Sequence, residues 1–129
     1  MHEHGETIIT YEDGIIQSTF IGSFNSAGVQ KYVNQIKHLI DGLNGADFAI
    51  LVDNLQLEGG TPLAYEALED YNQWLNKQPL VAKAMLSNSV VKMQIIDSLT
   101  KAHQKQNVQH FQSREKALCW LKTELDRVN

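Results

Sequence analysis

The chain has little of what staples or anchors a protein. Its one cysteine, Cys119, in 129 residues leaves no disulfide to close within the chain, so a reducing compartment, the cytoplasm, is the expected home. The 11 Lys and Arg are outnumbered by 15 Asp and Glu, for a formal net charge of -4. A surface of that sign repels nucleic acid and anionic lipid, which removes both as default partners. No apolar run approaches the roughly 18 residues of a membrane-spanning helix, and the opening His2-Glu-His-Gly-Glu6 lacks the basic-then-apolar order of a secretion signal. Membrane insertion is therefore not expected. What is present is ordinary for one globular domain: 43% hydrophobic and 20% charged residues. A chain of this length buries roughly two-thirds of its unfolded surface without needing metal or disulfide.

The order of elements is readable. Thr7–Tyr11 and Ile15–Ile21 are β-rich runs on either side of Asp13-Gly14, a pair suited to the two positive-φ positions of a type I′ hairpin turn. A helix is expected from Ser26 to about Leu43. Val29, Tyr32, Val33, Ile36, Leu39, Ile40 and Leu43 fall within an arc of about 120° at 100° per residue. Asn25 or Ser26 suits its start and Gly45 its end. Phe48–Val52 is apolar without alternation and stops at Asp53, the pattern of a strand buried on both faces. Thr61-Pro62 opens a second helix, with threonine as cap and proline at the first helical position. Leu80–Leu86 is a further strand, apolar except for Lys83, and Ser87-Asn-Ser89 caps a third helix running to about Gln104. Val108–Phe111 is half polar and suits an edge strand, and Ser113 caps a last helix striped by Ala117, Leu118, Leu121, Leu125 and Val128. The order ββαβαβαβα predicts an α/β fold with a mainly parallel five-stranded sheet and an antiparallel edge strand.

Four short segments resemble a known family. They are Gly22-Ser-Phe-Asn25, Leu51-Val-Asp53, Glu58-Gly-Gly-Thr-Pro62 and Ala117-Leu-Cys-Trp-Leu121. With the element order, they make the chain similar to the anti-sigma-factor antagonist fold, the SpoIIAA-like or STAS domains, whose relatives include the lipid-binding CRAL-TRIO (SEC14) domains. The likeness is closest to small uncharacterised bacterial members and spans nearly the whole chain. It implies a protein-interaction module, often switched by phosphorylation of a serine at the start of the helix after the central strand. This chain departs from that pattern. Asn54-Leu-Gln-Leu-Glu-Gly-Gly60 follows Asp53, and the nearest hydroxyl is Thr61, so the phosphoswitch does not carry over; Thr61 is the one position to test for a phosphosite and reads first as a plain helix cap.

In a parallel sheet, ligands gather beyond the carboxyl ends of the strands. That places a partner- or ligand-binding rim at Asn25, Asp53, Asn54, Glu58, Gly59, Thr61, Ser87 and Asn88, with Arg114 its sole cation. Gly59-Gly60 has neither phosphate-loop nor dinucleotide spacing, and Asp53 and Glu58 repel phosphate, so no cofactor is expected. Asp53 suits a general base or ligand less well than a loop-fixing acceptor. The five histidines show no metal-binding spacing: His2 and His4 are terminal, His38 is on a polar face, His103 lies near Ile96 and Leu99, and His110 is on the edge strand. Cys119 lies off the core stripe of its helix and has no histidine beside it in sequence. Tyr71 and Trp74 at a stripe margin, and Trp120 about 60° outside its own, are candidate interface residues.

Three functions follow in order of preference. The first is a non-catalytic interaction module with a protein partner or a second copy of itself. The second is a carrier of a small apolar, lipid-like ligand, lined by Val91, Met93, Ile95 and Leu99 in a cavity above about 300 Å³. An enzyme comes third. It would need Asp53, Glu58 or Thr61 within hydrogen-bond reach of His103 or His110.

Overall fold

The computed structural model describes residues 2–129. A five-stranded sheet runs in the order β1 (Glu6–Glu12), β2 (Ile15–Phe24), β3 (Phe48–Gly60), β4 (Leu80–Leu86) and β5 (Val108–Phe111). β1 pairs antiparallel with β2, and every later pair is parallel. Asp13 (φ 54°) and Gly14 (φ 82°) both take the left-handed backbone that the tight turn between β1 and β2 requires. The α/β class, the strand count and the antiparallel edge are as the sequence predicts.

Helices α1 (Ser26–Asp41), α2 (Pro62–Leu75) and α3 (Val90–Leu99) pack on one face. That face holds Ile16, Phe20, Phe24, Phe48, Ile50, Val52 and Met85, together with Val29, Tyr32, Ile36 and Ile40 of α1. Helix α4 (Arg114–Val128) covers the other face alone, setting Ala117, Leu121 and Leu125 on Ile15, Ala49, Leu51, Ala82, Ala84 and Leu86. Adjacent β3 residues thus enter different cores, which is why its first half reads as unbroken apolar sequence.

Three boundaries differ from expectation. β2 runs on to Phe24 rather than ending at Ile21. β3 does not stop at Asp53 but continues to Gly60, pairing Gln56, Leu57, Gly59 and Gly60 with Ile21, Gly22, Ser23 and Phe24. The helix layer leaves this half of the strand open to solvent, so Leu55, Gln56 and Glu58 are exposed and polar composition disguises it as a loop. Register shifts on either side of Gly22, and Gly59 at φ 138°, mark the irregular pairing. α3 ends at Leu99 rather than Gln104. Thr100, at φ -120° and ψ 73°, breaks it, and a 3₁₀ turn follows at Lys101–Lys105.

Candidate functional site

The extended β3 divides the expected rim. Asp53 is buried toward α4, where Oδ1 accepts from Leu55 N–H at 2.9 Å and Oδ2 accepts from Arg114 Nη2. Arg114 Nη1 also donates to Gln17 Oε1 at 2.5 Å. Asn54, one residue on, is buried on the opposite face. Asp53 is therefore a mid-strand ion-pair acceptor rather than a strand-end group.

Three other rim residues, Asn25, Thr61 and Ser87, are engaged at helix starts. Asn25 Oδ1 accepts from Gly28 N–H at 2.8 Å and from His4 N–H at 3.0 Å, while its Nδ2 donates to His2 O. Thr61 Oγ1 accepts from Ala64 N–H at 3.1 Å and Ser89 Oγ from Lys92 N–H at 3.2 Å. Ser87 Oγ is engaged with both the N–H and the carbonyl of Ser89. Glu58 and Asn88 are exposed, and Gly59 is half-buried.

The feature that the sequence shows without explaining is Lys83. Its neighbours in β4, Ala82 and Ala84, point toward α4, so Lys83 enters the α1–α3 face. It is 3% exposed. Its Nζ donates to Asn72 Oδ1 at 2.5 Å and lies 3.2 Å from His103 Nε2. Burial lowers its pKa to about 7 against a weaker pull upward from Asp97. His103 is held to about 4, first by burial and then by Lys83, against the favourable bond to Asp97. It is thus neutral at pH 7. Nε2 then accepts from Lys83, and Nδ1 carries the proton toward Asp97 Oδ1 at 3.3 Å. His110 Nε2 reaches Asp97 Oδ2 at 2.8 Å. A chain of contacts runs from the half-exposed Asp97 inward to the buried amine.

Beside this cluster lies a cavity of about 70 Å³ under α1 and α2. Phe20, Phe24, Tyr32, Tyr71, Met85 and Ile96 supply much of its wall, Lys83, His103, Asn72 and Asn54 its polar part, and Leu57, Gly59, Gly60 and Tyr65 its outer end. Tyr32 Oη is 2.9 Å from Ser18 Oγ, whereas the buried Tyr71 Oη has no hydrogen-bond partner. Burial raises the Tyr71 phenol well above its usual range, and the neighbouring Tyr32 hydroxyl adds to that both electrostatically and through the contact between the two hydroxyls.

Several expected groupings do not form. Asp97, not Asp53, Glu58 or Thr61, is the carboxylate that meets His103 and His110. Asp97 carried no periodic or motif signal in the sequence. Val91 and Ile95 are exposed and line no cavity; Leu99, also exposed, edges an open surface groove with α2, and α3 turns Ile96 inward instead. The cavity is also well below the roughly 300 Å³ expected for a lipid-like ligand. Trp74 stacks on Tyr71 and lies 4.9 Å under Lys37 Nζ, while Trp120 packs against Phe111 on the α4 face. The two tryptophans belong to different cores and share no surface. His38 and Cys119 are exposed. Among the described residues, no three His, Cys, Asp or Glu side chains are grouped to hold a metal ion, and no helix is long and apolar enough to cross a membrane.

The architecture is that of solved proteins. An uncharacterised protein of the DUF3478 family with a SpoIIAA-like fold, from Shewanella loihica PV-4, superposes with a TM-score of 0.71. It is 13% identical, and the match covers 94% of this chain and 96% of that one. An anti-sigma factor antagonist from Mycobacterium paratuberculosis superposes with a TM-score of 0.62 at 13% identity, covering 92% and 95%. No family model matches the chain, and no curated protein matches it in sequence. The chain has a SpoIIAA-like fold.

Proposed function

We propose that this chain is a single-domain, non-catalytic cytoplasmic regulatory module that acts by binding another protein through the outer face of α3. The observation that carries the reading is a stripe of Val91, Ile95 and Leu99, which are 66%, 46% and 45% exposed. At 100° per residue the three share an arc of about 80°, on the side of the helix that should be polar if it faced only water. A groove beside the stripe runs between Ser98-Leu99 of α3 and Pro62, Tyr65, Glu66 and Glu69 of α2. Likeness to an anti-sigma factor antagonist supports a protein partner over a nucleic acid. Thr61 stands exposed next to this groove, at the start of α2, and is the position where a phosphate would alter it.

Cross-linking in the source cytoplasm with wild type, Val91→Glu/Ile95→Glu and the α4 control Lys122→Glu tests the reading. The same partner should be captured by wild type and control and lost with the α3 variant. Equal capture by all three sinks it. Capture of only a second copy of the chain replaces the regulatory partner with a homodimer.

A further inference from the structure

We propose that the cavity beneath α1 and α2 binds a small organic monocarboxylate, its carboxylate held by Lys83 and Tyr71 and its apolar tail among Phe20, Phe24 and Ile96. The proposal is independent of the α3 face.

Its first support is the charge of the site. Lys83 is 3% exposed, and its two partners, Asn72 and the neutral His103, carry no negative charge. Asp97 is reached only through His103. Bringing an ammonium to such a place is costly unless an anion meets it. The second support is Tyr71, which is 4% exposed and lines the cavity, and whose hydroxyl has that of Tyr32 as its neighbour but no other partner. A buried phenol is normally hydrogen-bonded, so a second donor stands in the same wall as the amine. Two donors and one cation suit one carboxylate, and a phosphate dianion would exceed the charge available.

The remaining wall fixes the other end. It is aromatic and aliphatic, which calls for hydrocarbon rather than a second polar group. A volume of about 70 Å³ is on the order of five times what one water needs, which fits an acid of roughly six heavy atoms and excludes a long acyl chain. The acid enters as an anion, and Lys83 takes up a proton to meet it. That proton comes from solvent, and His103, which bridges Lys83 and the half-exposed Asp97, offers a path inward. The titratable groups facing Lys83 are Tyr32 of α1, Tyr71 of α2, Asp97 of α3, His103 of the 3₁₀ turn and His110 of β5.

The 129-residue chain should be titrated at pH 8 with butyrate, with 1-butanol (tail without charge) and with inorganic phosphate (charge without tail). Amide NMR shifts and calorimetry in two buffers of different ionisation enthalpy give the readout. Butyrate should bind at one saturable site, shift Asn54, Tyr71 and Ile96, and take up close to one proton. Lys83→Met should weaken it about tenfold or more and abolish the proton uptake, and Tyr71→Phe should weaken it severalfold with uptake retained. Butanol and phosphate should not compete. No saturable shift at cavity residues overturns the proposal, as does Lys83→Met binding like wild type or butanol binding as well as butyrate. If Lys83→Met fails to fold, Tyr71→Phe and the proton uptake of wild type decide the matter.

Discussion

A buried amine that loses its proton near neutrality makes the stability of the fold depend on pH in a defined window. Lys83 ionises at about 7 in the folded chain and at its ordinary 10.5 when unfolded. Between those values the unfolded chain holds more protons, so stability rises with pH, approaching about 1.4 kcal/mol per pH unit. Below pH 7 both states are protonated and this contribution is flat at its least favourable. From pH 7 to pH 9.5 the gain is about 3 kcal/mol. Tyr32 and Tyr71, raised by burial, act with the opposite sign, but only where an unfolded phenol ionises, near pH 10, so 9.5 is the upper limit. Lys83→Met removes the titrating group at similar length. At pH 7 it regains the roughly 4 kcal/mol that the charged form costs, less about 1–3 kcal/mol for leaving His103 Nε2 without its donor. Asn72 Oδ1 keeps Gln106 Nε2 at 3.2 Å. Urea unfolding of both proteins at pH 7, 8, 9 and 9.5, with m-values checked for constancy, measures the difference. Wild type should steepen relative to the variant by about 3 kcal/mol across the series. Parallel curves would refute a buried, charge-averse Lys83.

Four further outcomes are expected. Gly28→Ala would set a Cβ 1.9 Å from the carbonyl oxygen of His4, so the His2–Gly5 segment must leave Asn25, and amide exchange at His4 should accelerate while the core unfolds at a similar urea midpoint. Thr61→Ala removes the Ala64 N–H acceptor and should cost about 0.5–2 kcal/mol, read from urea unfolding. Asp53→Asn discharges the buried partner of Arg114 but keeps an oxygen for Leu55 N–H, and should cost about 1–3 kcal/mol, whereas Asp53→Ala should cost more. The exposed Val91→Glu/Ile95→Glu pair should change stability by no more than about 0.5 kcal/mol per site, so that any binding loss in it reads on the surface alone.

The parts of the fold visible in the sequence are those where one physical rule acts alone. The hairpin turn needed only the positive φ that Asp13-Gly14 supplies, and α1 declared itself by the 3.6-residue spacing of side chains facing a single core. β3 shows what happens when two rules meet. Its first half reads as a strand because both faces are buried, and its second half does not, because Gln56, Glu58 and Gly60 stand in solvent. The rim inherited that error: with the strand continuing, period-two alternation sends Asp53 and Asn54 to opposite faces. The cluster around Lys83 was legible in one part only. A lysine inside an apolar strand is a visible anomaly, but Asn72, Asp97 and His103 come from three later or earlier segments whose meeting depends on how α2, α3 and the 3₁₀ turn dock.

The two faces of the sheet carry different burdens. The α4 face is filled by Ala49, Ala82, Ala84, Ala117 and leucines, with its one buried ion pair closed between Asp53 and Arg114. Small side chains there let the helix approach and leave no space to adjust. The opposite face places a lysine, a histidine, three tyrosines and two asparagines beside a cavity, and a buried lysine and an unfilled cavity each cost stability relative to a packed aliphatic core. Had Lys83 been needed only to fill space, leucine or methionine would serve better, since an unpaired buried cation costs more than a methylene gained. The side of the sheet that gives up stability is also the side whose cavity reaches the exposed Gly60 and the half-buried Gly59 and Tyr65. The stability lost there and a ligand's access to the site therefore have a common structural origin, which a cavity-filling Ala64→Leu should expose by blocking carboxylate binding while α4 and its core stay unchanged.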